Sequence, residues 1–546
     1  MLDAIERRSP EVVRDLLGCP QFGAWADTCI RRLLVPAAQA APDGVPLPVE
    51  LGHLSVFAAT AAIRSGQTFE LEIPLRQGEV SFPSLGTARP GSIAEWEWAT
   101  VDGDASGVRV RSSVSTVQVL GGRVPPGRAA VDWSAVPRVT VESGDLVLDV
   151  VLDNSDPYLD RYGIARIGLS ADTLAAWRRM IGQAWAILAV DHPWLARVVT
   201  ATVRTLVPLA RPGPTRSSSS TDLASFGAVA LSLPHDALSM AEVLVHEAHH
   251  AVMGAMTDLV PLVTSGSAFV GYAPWRDDPR PAGALLQGIF AHYGMGRFWR
   301  EQCVVDSPER RRRATAEFAR LRMITHRAAE TLLRSGAMTE AGQELLTGIR
   351  AQLTTWLDQP VPSHATEYAL DVSTDHEVRW RLRHLSFDPA PITALADAWR
   401  QGRPPPIRPP EVALQLEPAP SLPPTANIRA YLLSLRYRNP GELRCWLGRP
   451  GTVSSLPSPG RADPADVAFV EGQYLEAAAG YLRRIAGAND SDAWAGLAVS
   501  RRHTGPSAQA MLLAEWPEVV AAVYGQLRNK DRIDPDHLAT WLVSPS

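Results

Sequence analysis

Apolar positions recur at helical spacing from Ser9 to Leu34, with a break at Cys19-Pro20, and a second helical run from Leu51 to Ser65 stops at Gly66. From Thr68 to about Val151 the period changes. FELEIPL, GVRVRSSVSTVQVL and DLVLDVVL alternate apolar and polar residues or run through β-branched stretches, with glycine and proline between them. That pattern predicts an antiparallel sheet region. Helical periodicity returns at Ser170 and continues in two segments to about Leu209. RPGPTRSSSSTD, Arg211 to Asp222, has the composition of a loop, and a short strand follows from Gly227 to Ser232, closed by Pro234. A helix carrying VLVHEAHHAVMGAM opens at Ser239, with further helices from Pro281 to Val305 and from Pro308 to Leu333.

Prolines crowd the stretch from Gln401 to Pro424, which predicts a linker or a surface-wrapping segment. The tail from Asp463 holds DVAFVEGQYLEAAAGYLRRI and DAWAGLAVSRRHTG, a helix pair of tetratricopeptide-like pattern; one pair is too little for an array. The fold class expected is α+β and mostly helical. Its parts are N-terminal helices with a β-rich region (1–165), a helical catalytic domain (166–400), the proline-rich linker (401–424) and a C-terminal helical region (425–546).

With 546 residues the chain is long enough to bury a sizeable core without staples. A net charge of -5 gives no reason to expect nucleic acid or an anionic membrane surface as a partner. Cys19, Cys29, Cys303 and Cys445 are scattered and form no CxxC pair. A disulfide framework or an all-cysteine metal site is not expected, and a reducing cytoplasm fits. The N-terminus MLDAIERRSPEVVRDLL lacks the apolar core of a signal peptide, and no apolar run is long enough to span a bilayer.

The chemistry concentrates in HEAHH. Ser239 with Glu242 fits a capping box, and the helix that follows is apolar on nearly every face, which predicts burial. Three histidines and a glutamate inside a buried helix are costly unless something satisfies them, and a metal ion does so. His246 and His250 stand four apart on one face, where two imidazoles can grip one ion. Glu247 is rotated to the side, the place of an outer base acting on metal-activated water in HExxH metallopeptidases. His249 points elsewhere and reads as packing or as a supporting residue. A di-iron reading of Glu247 with His250 needs a second E-x-x-H on a partner helix, and the sequence has none.

Two histidines leave a catalytic metal short of the usual three protein ligands. In GALLQGIFAHYGMGRFWREQ the candidates are Gln287, His292 and Glu301, and His292 is best by ligand chemistry. An ordinary core histidine is the competing reading. The preceding loop GYAPWRDDPRP carries Arg276 and Arg280, whose guanidinium forks suit a carboxylate, although Asp277 and Asp278 can satisfy them locally. In DVSTDHEVRWRLRHL, the residues Asp375, His376 and Arg379 read as a solvated charged face before they read as a site.

LVHEAHH followed by YAPWRDDPRPAGALLQGIFAHYGMGRFWR resembles the actinobacterial HExxH peptide-modification proteins that accompany ribosomally made, post-translationally modified peptides. Some of these resemble 2-oxoglutarate- and iron-dependent peptide β-hydroxylases. SPEVVRDLLGCPQFGAWADTCIRRLL, SSTDLASFGAVALSLP, ADVAFVEGQYLEAAAGYLRRI and AWAGLAVS extend the likeness over most of the chain, thinning between about Arg310 and Pro424. The resemblance implies Fe(II) on His246 and His250, with His292 completing the set, although some relatives carry a histidine where this chain has Gln287. It implies Arg276 or Arg280 on the distal carboxylate of 2-oxoglutarate and a precursor peptide as substrate. A partner enzyme of radical chemistry is a further expectation.

An Fe(II) site with two or three protein ligands keeps positions open for a keto acid and dioxygen. The strand Gly227 to Ser232 is a candidate to pair with an extended peptide. Three readings follow from these residues: an iron and 2-oxoglutarate oxygenase acting on a peptide, a zinc metallopeptidase with Glu247 as general base, and a non-enzymatic scaffold that binds a leader peptide through its C-terminal helix pair. The absence of GxSxG and P-loop motifs gives no support to serine hydrolysis or nucleotide chemistry.

Overall fold

The computed structural model of the chain describes residues 1–34, 44–104, 107–119, 132–212, 218–304, 307–405, 412–414, 427–447, 463–504, 508–528 and 533–542. Helix dominates, accompanied by several small sheets, so the fold is α+β and mostly helical. The chain divides into two compact units, the first ending at Leu259 and the second built from Val260 onward. The expected boundary at 165 therefore falls inside the first unit, and the 166–400 segment is shared between the two. Of the expected linker, most of 401–424 lies outside the described residues.

After a five-residue helix over Leu2–Glu6, the first unit has helices α1 (Pro10–Leu17), α2 (Pro20–Leu34) and α3 (Leu54–Ser65). Proline starts α1 and α2, where its missing N–H costs nothing, and α3 ends at Gly66, whose φ of 66° is the left-handed conformation glycine adopts freely. A four-stranded antiparallel meander follows: β1 (Phe69–Arg76), β2 (Trp96–Asp104), β3 (Gly107–Arg111) and β4 (Thr116–Val119), in that spatial order. Its alternation puts Ile73, Val101 and Val110 into one core with Phe57 of α3.

The second sheet is mixed. β5 (Arg138–Ser143) pairs antiparallel with β6 (Leu146–Leu152), β6 runs parallel to β7 (Thr205–Leu209), and β7 runs parallel to β9 (Ala228–Ser232). The two-residue β8 (Ser219–Ser220) closes the far edge antiparallel to β9. Parallel β6 and β7 need a long crossover, and α4 (Ala171–Asp191) with α5 (Pro193–Thr202) supplies it. The helical reading that ran to Leu209 is corrected here. Thr205–Leu209 is a strand with every residue buried, a short apolar run whose period cannot tell a core strand from a core helix.

The motif helix α6 spans Ala237–Leu259 and packs on α4 and α5. Its cap is not Ser239. The Asp236 carboxylate accepts from the Ser239 backbone N–H at 2.7 Å and from the Ser239 hydroxyl at 3.1 Å, so the helix opens earlier and Ser239 is its third residue.

The second unit contains α7 (Ala282–Gln302), α8 (Pro308–Arg334), α9 (Glu340–Leu357), α10 (Ser363–His384), α11 (Ile428–Arg438), α12 (Pro464–Glu471), α13 (Tyr474–Ala488) and α14 (Ser491–His503). The stretch expected to form a C-terminal helix pair folds instead as three consecutive helices, α12 to α14, its first segment broken at Gly472, and α14 packs against α10. The charges of α10 are not solvated as the sequence suggested: Asp371, Asp375 and Arg379 are buried. Among the described residues no helix is long and apolar enough to cross a membrane.

Candidate metal-binding site

On α6 the apolar faces lock the helix into the unit, and Leu244, Val245, Ala248 and Met253 are buried. A half-buried stripe remains along Val243, His246 and His250. The two imidazoles lie on it with ring centroids 4.6 Å apart and planes at 87°. Their Nε2 atoms approach to 3.1 Å. Nitrogens about 2.0–2.1 Å from one ion lie about 2.9 Å apart at a right angle and about 3.4 Å apart at a tetrahedral angle. The observed spacing falls between, so both rings can ligate one ion without moving far. With a proton between them, the same contact is a single N–H···N hydrogen bond.

Glu247 sits beside the pair. Its side chain is almost completely buried, and its Oε1 is 4.0 Å from His246 Nε2. Its Oε2 accepts from the Thr221 hydroxyl at 2.6 Å. A carboxylate taken out of water costs several kcal/mol, whereas one hydrogen bond to a charged group returns about 1.5–3 kcal/mol. A cation held by the neighbouring imidazoles would offset the remainder. Thr221 was missed from sequence because it ends a run of serines read as loop by composition. Only its place one residue after β8 brings it over α6.

His249 is buried, and its Nδ1 lies 2.7 Å from the Val245 carbonyl oxygen, so its ring serves helix packing. The strand expected to pair with a peptide, β9, already has β7 on one side and β8 on the other. The edge strands of this sheet are instead the short β8 (Ser219–Ser220) and, at the opposite side, β5 (Arg138–Ser143).

The remaining expected residues belong to the second unit. His292 is buried, with Nδ1 2.8 Å from the Gly288 carbonyl oxygen. A neutral ring donating there keeps its lone pair on Nε2, the tautomer a metal ligand needs. Trp275 stacks on the ring with centroids 4.0 Å apart. Gly288 makes room for it, since a Cβ there would meet the indole at 2.4 Å. Glu301 is bound by Arg297 at 3.0 Å on the same helix. Gln287 is half-buried on α7.

Arg276 and Arg280 do not present an open fork. Both reach Asp278, at 2.8 and 3.0 Å. Partial burial works to raise the Asp278 carboxyl, but the two guanidiniums outweigh it and hold it below its ordinary value. The loop thus shows two arginines converging on one carboxylate, and that carboxylate is the chain's own. His376 Nδ1 and the Tyr272 hydroxyl are hydrogen-bonded at 2.8 Å, and burial pushes the imidazole down to about 4.

The structure thus brings His246, Glu247 and His250 together on α6 and adds Thr221. Among the described residues, no group of three or more His, Cys, Asp or Glu side chains is gathered to hold an ion. The motif helix itself brings two imidazole nitrogens to 3.1 Å of each other and one carboxylate beside them. No family model and no curated protein matches the chain.

Proposed function

We propose that the chain is a metal-dependent enzyme that hydroxylates a β-carbon in a ribosomally made precursor peptide, with Fe(II) on His246 and His250 and 2-oxoglutarate as co-substrate. The observation that carries the metal reading is the 3.1 Å approach of the two Nε2 atoms. The oxygenase chemistry rests on the resemblance of LVHEAHH and the segment from Tyr272 to Arg300 to HExxH peptide-modification proteins. Iron bound with a keto acid supplies dioxygen activation. The chain's own residues would hold the ion through His246 and His250 and keep a carboxylate, fixed by Thr221, beside them. The same resemblance names His292 as third ligand and Arg276 or Arg280 for the distal carboxylate of 2-oxoglutarate; these roles rest on the sequence alone.

Glu247 favours a second reading, a zinc peptidase. A hydroxylase needs no hydrolytic base, yet Glu247 is buried, oriented by a hydroxyl and placed beside the pair, as a base acting on a water would be. Anaerobic reconstitution with Fe(II), then air and 2-oxoglutarate with a peptide encoded beside the gene, separates the two. Gain of one oxygen atom in the peptide together with succinate supports the oxygenase. Two peptide fragments formed with Zn(II) and without 2-oxoglutarate support the peptidase. An intact, unmodified peptide in both arms, with no ion retained on dialysis, would falsify both.

A further inference from the structure

A cavity of about 300 Å³ lies against the second half of α6 in the first unit, at the lower end of the size range of ligand pockets. Its helix wall continues the Glu247 face: Ala251, Gly254 and Asp258 follow at helical spacing. Ala251 and Ala255 are small, and at Gly254 the missing side chain lets Leu223 pack close, its Cδ2 2.4 Å from where a Cβ would stand. Leu223 and Phe226 form the opposite wall, and both stay partly exposed, at 50% and 39%. Thr221 belongs to this lining and also holds Glu247, so the cavity and the candidate site share one residue. Asp258 is exposed at the cavity's end, and among the described residues no cation is paired with it.

We propose that this cavity receives a lysine or arginine side chain of the peptide substrate. Its aliphatic stem lies between Phe226 and the small residues of α6, and its cationic tip faces Asp258. Long cationic side chains bury their stems on apolar surface and keep their heads in water, and the cavity offers both environments in that order. Ala255 is eight positions beyond Glu247, about 12 Å along the helix. That distance equals about three to four residues of extended peptide, so the anchored side chain stands about that far from the reacting residue. The inference rests on the reading of His246, Glu247 and His250 as the reactive centre.

The test uses the full chain and two probes, Nα-acetyl-lysine amide and Nα-acetyl-norleucine amide, followed by saturation-transfer NMR. The lysine probe is expected to bind roughly threefold more tightly than the norleucine probe, the size an exposed ion pair gives. Asp258→Asn should remove that preference. Ala255→Trp should remove binding of both probes, and Phe226→Ser, a milder change, should weaken both. Co(II) retention on dialysis is measured in parallel and should be unchanged in all three variants. Absence of transfer to the lysine probe, survival of transfer in both Ala255→Trp and Phe226→Ser, or a lysine preference that persists in Asp258→Asn overturns the pocket. A chain that retains Co(II) but ignores the probe overturns the pocket alone. A chain that binds the probe as described but holds no ion supports the pocket and overturns the metal reading.

Discussion

Two helices of this molecule carry polar groups in buried positions, and they satisfy them in opposite ways. On α10, in the second unit, each buried charge meets its opposite. Asp375 accepts from Arg429 at 2.5 Å and from Asn427, Arg429 also reaches Asp466 and the Tyr481 hydroxyl, and Arg379 donates to Asp492 at 2.7 Å. Asp371 is held by Arg502 at 2.6 Å and by His503 at 2.9 Å. On α6, in the first unit, imidazole faces imidazole across 3.1 Å, and the Glu247 carboxylate beside them accepts from the Thr221 hydroxyl. Matched charge closes a network and fixes helix packing. Two imidazole nitrogens 3.1 Å apart with an acid alongside form an arrangement that a cation would complete under the metal reading proposed above. The difference separates a scaffold from a site more sharply than burial does, since Asp375 and Glu247 are equally buried, each 1% exposed.

Removing one member of each cluster tests that contrast. The largest effect is expected at Arg429→Ala. It leaves Asp375 and Asp466 buried without their cation, and breaking a buried pair this way costs about 3–5 kcal/mol. Urea unfolding should show the loss, and Co(II) retention by the folded protein should not change. A loss below about 1 kcal/mol would remove α10 from the class of structural networks.

His250→Ala is expected to do the reverse. The half-buried ring packs little, so the unfolding midpoint should move only slightly. Affinity for Co(II) or Zn(II), measured against a chromophoric chelator, should fall by more than the roughly 10–100-fold that loss of a supporting residue around a metal costs. Unchanged affinity would turn the His246–His250 contact into an ordinary hydrogen bond.

Thr221→Val sharpens the comparison within α6. It keeps the shape and removes the donor to Glu247, a bond of about 1.5–3 kcal/mol. Turnover should drop about ten- to a hundredfold with metal affinity preserved, provided the Glu247 orientation enters the chemistry. Equal loss from Thr221→Val and Thr221→Ser would mean that packing, not the hydroxyl, is what matters there.

These contrasts also mark what the sequence could show. The helices over Ser9–Leu34, Ser170–Asp191 and Pro308–Leu333 and the alternating strands of the meander follow from local periodicity, and HEAHH announces its own pair of rings. What stayed hidden depends on residues far apart in the chain. Asp371 and Asp375 look like a solvated face until Arg429 and Arg502, 54 and 131 positions away, arrive to neutralise them. Thr221 reaches Glu247 across 26 residues, from a segment whose serines read only as loop. Thr205–Leu209 is apolar throughout, so neither period declares itself, and only parallel pairing with β6 and β9 makes it a strand. The cap moved from Ser239 to Asp236 because both are good capping residues, and the choice is settled by which one the chain turns at after Pro234.

The smallest effect in stability is expected at the arginine loop, and it tests whether matched charge can still serve a ligand. Arg276, Asp278 and Arg280 are 52%, 48% and 33% exposed in their side chains, so the clasp is worth less than about 1 kcal/mol. That weakness is what a carboxylate-binding site requires, because an incoming carboxylate displaces Asp278 at little cost. Asp278→Asn removes the competing charge while leaving the arginines in place. The KM for 2-oxoglutarate should fall about threefold, the scale of one exposed ion pair, with kcat and the unfolding midpoint nearly unchanged. If the loop were only a surface clasp like Arg297–Glu301 on α7, Asp278→Asn would leave the KM where it was. The rule drawn from α10, that a charge meeting its opposite is structural, would then extend to this loop as well.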